Sequence, residues 1–136
     1  MKKKRLSSAW LQRSALHYVQ RYPASVQRVR QVMKRRIERK LREHEGDRAP
    51  LLEELEELLA AFQRGGHLDD LRQAGLWLDT WHRKGLSARG MRAKLAEKGV
   101  PPTVIAQALQ EFFNQDDERE AGLELEAANN YARRRH

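Results

Sequence analysis

Apolar residues recur along this chain at steps of three and four, and turn-forming residues interrupt the pattern. Leu11, Ala15, Tyr18 and Tyr22 follow one another at spacings of four, three and four, with Leu16 and Val19 widening the stripe. That spacing returns to one side of a helix, so it predicts an amphipathic helix over residues 8–22 with Ser7 or Ser8 as its cap. Pro23 ends the helix, because proline lacks the amide proton an interior turn needs and restricts the residue before it. Ser25 then caps a second helix. Val26, Val29, either Val32 or Met33, Ile37 and Leu41 line one side of it, and Arg28, Arg30, Lys34, Arg35, Arg36, Arg39, Lys40 and Arg42 take the others. HEGDRAP at 44–50 reads as a break. LLEELEELLAAF at 51–62 sets Leu51, Leu52, Leu55, Leu58, Leu59 and Phe62 opposite Glu53, Glu54, Glu56 and Glu57. This acidic helix either packs beside the basic one with its charges in water or pairs them with a basic neighbour.

RGGH at 64–67 stops the third helix, glycine being free to take the left-handed conformation that a helix end favours. The next helix covers 69–83, with Asp69 or Asp70 capping and Leu71, Ala74, Leu78 and Trp81 on one face. Gly85 closes it, Ser87 caps a short helix over 88–98 with Met91 and Leu95 inward, and Gly99 ends that one. PPTVIAQALQEFF places prolines where a helix start tolerates them, followed by the stripe Val104, Ile105, Ala108, Leu109 and Phe112. Asp116 and Asp117 open a last helix with Leu123, Ala127 or Ala128, and Tyr131 apolar.

These segments repeat. DDLRQAGLWL at 69–78 returns as DDEREAGLEL at 116–125, and LQRSALHY at 11–18 aligns with LRQAGLWL at 71–78. In the first two units a capping serine follows, Ser25 or Ser87, then an apolar residue four positions on, Val29 or Met91, and another after four more, Met33 or Leu95. Each unit therefore reads as three short helices, marginal singly but able to bury a continuous core when stacked. The pattern predicts an all-α chain of tandem three-helix repeats: residues 1–64 with an extended basic second helix, 65–115, and a partial third repeat, 116–136, that reaches only its first helix. The first unit occupies more chain than the 47-residue offset between the second and third, which points to an elongated element within it.

Charge sharpens this picture. The net charge of +8 is unevenly spread: residues 1–48 carry 15 Lys and Arg against 4 Asp and Glu. Such a field draws in polyanions or an acidic protein surface with a strength that falls as salt rises; a solvated helix face is the bland alternative. With no cysteine there is neither a disulfide framework nor a thiolate metal site. MKKKRLSSAWLQRS starts basic, but Gln12 and Arg13 interrupt the apolar run that a signal peptide requires, and no run is long enough to span a bilayer, so a cytoplasmic protein without a membrane partner is expected.

Motifs for catalysis are missing. There is no phosphate-binding glycine loop, no dinucleotide glycine pattern and no HExxH. His17, His44, His67, His82 and His136 are scattered, with none paired to another at a ligand spacing. The pairs Asp69–Asp70 and Asp116–Asp117 sit at helix starts, where capping is a simpler role than acid chemistry or magnesium binding. Trp77 and Trp81, four apart, and Trp10 read first as packing residues, with base stacking or anchoring a protein partner as the functional alternative. The long basic helix lacks the Asn and Gln clustering of a base-reading element. No enzyme and no cofactor are expected.

The stretch GGHLDDLRQAGLWLDTWHRKGLSARGMRAKLAEKGVPPTVIAQAL, residues 65–109, resembles the central part of the RecX family of regulatory proteins, which modulate the bacterial recombinase RecA. The shared features are HLDD at 67–70, Ala74 and Trp77 in the helix that follows, the turn with Gly85 and Ser87, and ARGMRAKLAEKGV at 88–100, which supplies Arg89, Arg92, Lys94, Lys98 and Gly99. LHYVQRYPASVQRVRQVM at 16–33 resembles the family's first unit more loosely. The resemblance implies an elongated, curved array of three-helix repeats. It implies a protein that binds in the groove of the RecA filament on single-stranded DNA, hampers ATP hydrolysis and strand exchange, promotes disassembly of the filament or blocks its extension, and contacts single- or double-stranded DNA itself; a monomer is expected. Arg28, Arg35, Arg39, Arg89, Arg92, Lys94 and Lys98 are then the candidate partner- or phosphate-binding residues, and Trp77, Trp81, Leu78 and Leu95 are structural. The alternative is a general nucleic-acid-binding protein on the same scaffold without recombinase specificity. A third reading is a remnant whose last unit no longer works.

Overall fold

A computed structural model describes residues 6–115 of the chain. Every regular element among them is helical: α1 Ser8–Arg21, α2 Val26–Leu41, α3 Arg48–Arg64, α4 Asp70–Arg83, α5 Ala88–Glu97 and α6, helical over 102–115. The expected partial third repeat lies outside the described residues.

The first three helices close around one core, in which Leu11 and Ala15 of α1, Val29, Met33 and Ile37 of α2, and Leu55 and Leu59 of α3 are essentially inaccessible to solvent. The last three close around a second, built from Ala74 and Leu78 of α4, Met91 and Leu95 of α5, and Ile105 and Leu109 of α6. Val29 with Met91, and Met33 with Leu95, the pairs aligned by the repeat, are buried at matching places in the two units. Burying such side chains contributes roughly 1.5–3 kcal/mol each before chain entropy is counted. The units differ in their second element. Both α1 and α4 have 14 residues, whereas α2 has 16 against 10 in α5, so the extra chain of the first unit includes a longer second helix.

Local chemistry sets most helix ends. Ser7, Ser25, Asp69 and Ser87 each accept a backbone N–H from the first turn of the helix that follows, satisfying a donor with no intrahelical partner. α3 begins at Arg48, inside the segment the sequence marks as a break, with Asp47 as its cap residue. Pro50 is compatible with that start because it falls in the first turn, where its missing N–H would have had no partner. At the other ends, α3, α4 and α5 finish in the same motif. His67, Leu86 and Val100 donate backward to Phe62, Trp81 and Leu95, and Gly66, Gly85 and Gly99 donate to Gln63, His82 and Ala96. In the first of these the His67 ring meets Phe62 edge-on at 5.7 Å, in the place usually taken by an apolar contact.

The acidic α3 both packs on the basic α2 and pairs with its neighbours. Arg30 holds Glu56 through Nε and Nη2 at 2.8–3.0 Å, and Ser8 of α1 hydrogen bonds Glu54. Arg48 and Glu38 bridge the α2–α3 turn. Leu6 N–H donates to the Glu45 carbonyl at 2.8 Å, tying the chain ahead of α1 to the same turn.

Candidate interaction surface

The two units meet at the N-terminus of α2. The buried Ser25 hydroxyl accepts from Arg28 N–H at 3.1 Å and donates to the Lys98 carbonyl at the end of α5. Asp70 does not cap its own helix, a role that falls to Asp69. Its Oδ1 instead accepts the Val26 N–H at 2.9 Å, across the junction. Two orphan donors of α2 are thus satisfied, one by its own cap and one by the second unit. Burial pushes the Asp70 carboxyl above its usual range; the Val26 hydrogen bond opposes this, the Asp69 charge adds to it and Arg30 works against it. Gly99 lies against the same spot with φ +84°, and a Cβ there would come within 3.1 Å of Ser25 Oγ and 3.2 Å of Gln27 Cβ. Only glycine combines that left-handed backbone with so close an approach.

Beside the latch, a cleft of about 400 Å³ opens between the units, lined by Tyr18, Tyr22, Arg28, Trp77, Glu97 and Lys98 among others. Tyr22, placed by its spacing on the apolar stripe of α1, is 48% exposed. It lies beyond the helix in extended backbone, φ −124° and ψ 131°, as Pro23 demands of the residue before it. Its ring rests 5.0 Å from that of Tyr18.

All seven candidate cations are exposed. Arg28, Arg35 and Arg39 fall at steps of seven and four and so share one stripe of α2, spanning about 16 Å. Their guanidinium groups hold no ion pair among the described residues, whereas Arg30 is taken by Glu56 and Arg36 donates to Ser14 and lies 5.4 Å over the Tyr18 ring. On the second unit, helical spacing puts Arg89 and Arg92 on one flank of α5 and Lys94 and Lys98 on the other. The lysines rest on tryptophan: Lys94 Nζ is 5.5 Å from the Trp81 ring centre and Lys98 Nζ is 5.5 Å from that of Trp77. The two indoles are stacked 6.1 Å apart, with Trp81 buried in the second core and Trp77 half-buried beside it. Trp81 is thus packed in the second core, while Trp77 stands at its edge and lines the cleft, each with a lysine ammonium over its ring. Of the seven, Arg28 and Lys98 are brought together, across the cleft.

Sequence reasoning missed the latch and the cleft. A signal existed for Tyr22, since a residue before proline leaves the helix, but nothing in the spacing foretold that Asp70 would reach α2. Among the described residues no three His, Asp or Glu side chains gather where a metal ion could be held, and no helix is long and apolar enough to cross a membrane.

Residues 69–109, from the start of α4 into α6, match the family model described as RecX, second three-helix domain. A relative named regulatory protein RecX, from Myxococcus xanthus strain DK1622, is 32% identical over 118 residues. The match covers 87% of this chain and 63% of the relative, so the chain spans less than two thirds of that protein's length. No solved structure matches.

Proposed function

The chain belongs to the RecX family of regulatory proteins, and from that premise we propose that it acts in the cytoplasm as a monomer that lies in the groove of the RecA filament on single-stranded DNA. Occupying the groove restricts the subunit movements and DNA access that recombination needs, so ATP hydrolysis and strand exchange slow. The mechanism is steric and electrostatic and uses no cofactor. The observation that carries this reading is the stripe of Arg28, Arg35 and Arg39. Three guanidinium groups with no ion pair among the described residues stand on a helix whose opposite side is anchored in the first core. Guanidinium forks suit the carboxylates of an acidic protein surface and the phosphates of the enclosed strand alike.

The test is the rate of ATP hydrolysis by RecA on single-stranded DNA as the protein is added. The full chain is expected to inhibit below one copy per recombinase subunit, and Arg35→Glu with Arg39→Glu to abolish inhibition while helical content is unchanged. Arg89→Glu with Arg92→Glu probes the second unit. These positions are preferred to Lys94 and Lys98, whose ammonium groups already lie over the indoles. Full inhibition by both charge-reversed variants contradicts the reading. No inhibition by a parent protein that still binds DNA moves the assignment to the general nucleic-acid binder.

A further inference from the structure

Tyr22 is a half-exposed aromatic ring lining a cleft between the two units, with the Tyr18 ring 5.0 Å from it and cations around it. Arg28 stands on α2, Lys98 at the end of α5, and Arg21 Cζ is 6.0 Å from the centre of the Tyr22 ring. We propose that this junction cleft is a binding site for single-stranded nucleic acid, in which one unstacked base lies on Tyr22 and the flanking phosphates meet Arg28 and Lys98.

Three features favour a nucleotide over an acidic peptide. Every base offers a π face, and an exposed aromatic ring set among cations is the arrangement by which sequence-tolerant single-strand sites gain affinity; here a base takes the place of the exposed Arg21 side chain over Tyr22. The volume of about 400 Å³ falls at the lower end of small-ligand sites, suited to one base with its sugar rather than to a helix or strand of protein. The track also continues: Arg28 borders the cleft and begins the stripe that runs through Arg35 and Arg39, so a strand leaving the cleft meets further guanidinium groups along α2. The walls are held in place by the Ser25–Lys98 and Asp70–Val26 hydrogen bonds, and a cleft formed in advance spares the binding step the cost of ordering it. Glu97 on the rim opposes any anion and sets a limit on affinity.

This site does not rest on the filament reading, and its test contains no recombinase, so the two stand or fall separately. The measurement is fluorescence anisotropy of a labelled oligothymidylate titrated with the full chain. Tyr22→Ala and Tyr22→Leu are expected to weaken binding about tenfold, and Tyr22→Phe to retain it. An abasic strand of the same length is expected to bind the parent and both weakened variants alike. Arg28→Ala and Lys98→Ala are each expected to reduce the slope of log affinity against log salt by about 0.7, and Tyr22→Leu to leave that slope unchanged. Circular dichroism checks that the variants are folded, and Tyr22→Leu keeps the bulk of the side chain should alanine disturb the end of α1. Equal binding of oligothymidylate by the parent and Tyr22→Leu overturns the proposal. So does an equal loss on the abasic strand, or a Tyr22-dependent interaction with a glutamate–tyrosine copolymer in place of the oligonucleotide, which would make the cleft a protein site.

Discussion

At the junction of the two units one buried hydroxyl, that of Ser25, joins the start of α2 to the end of α5. Ser25→Ala removes an N-cap and leaves the Lys98 carbonyl without that donor, so a loss of about 1–3 kcal/mol is expected in urea denaturation; a change within 0.5 kcal/mol would mean the contact carries nothing. Asp70 makes a prediction of opposite sense. Its folded pKa is raised by burial, so its contribution to stability is fullest below the unfolded pKa and is lost as pH rises through the folded value. Asp70→Asn keeps a carbonyl acceptor for Val26 without the charge. The variant is expected to show the higher urea midpoint at pH 7 and to lose that advantage below about pH 4, where the parent carboxyl is protonated. A variant less stable at pH 7 but equal in acid would show that the fold favours the carboxylate. Ser25 was legible as a cap because Ser after Pro and before an apolar run is a local signal. Its second bond was not, since it depends on a carbonyl 73 positions away.

Within the helices, the apolar period decided nearly everything, and the exceptions have local causes. Leu11, Ala15, Val29, Met33, Ile37, Leu55, Leu78, Met91 and Leu95 were placed inward by spacing and are buried. α3 starts three residues earlier than its leucines suggest, because a proline in a first turn reads as a break and acts as a start. Tyr22 left its stripe because Pro23 pulled it into extended backbone. α2 should therefore tolerate change on one side and not on the other. Ile37→Ala opens a cavity in the first core and is expected to cost about 2–5 kcal/mol. Arg35→Glu on the exposed stripe should stay within about 0.5 kcal/mol. Thermal or urea unfolding of the two variants side by side checks this, and a large loss for Arg35→Glu would show that the stripe is part of the fold rather than a surface presented to a partner.

Across the whole molecule, repetition is what made the architecture readable. Matching serine caps and matching buried pairs in two units fix where each core must form, whichever partner the protein meets. How the units are joined was beyond that logic, because the pattern repeats within units while Asp70, Gly99 and Ser25 act between them. The candidate cations lie on both units, and the proposed reading predicts binding that depends on an assembled filament. The direct measurement is co-sedimentation of the full chain with RecA filaments on single-stranded DNA at about 0.15 M salt, a level at which contacts with phosphate alone are strongly weakened. The protein should pellet with the filament, remain in solution with unassembled RecA, and be lost from the pellet in the Arg35→Glu, Arg39→Glu variant. Pelleting equally well with DNA lacking RecA, or failing to pellet with the filament, would contradict a filament regulator.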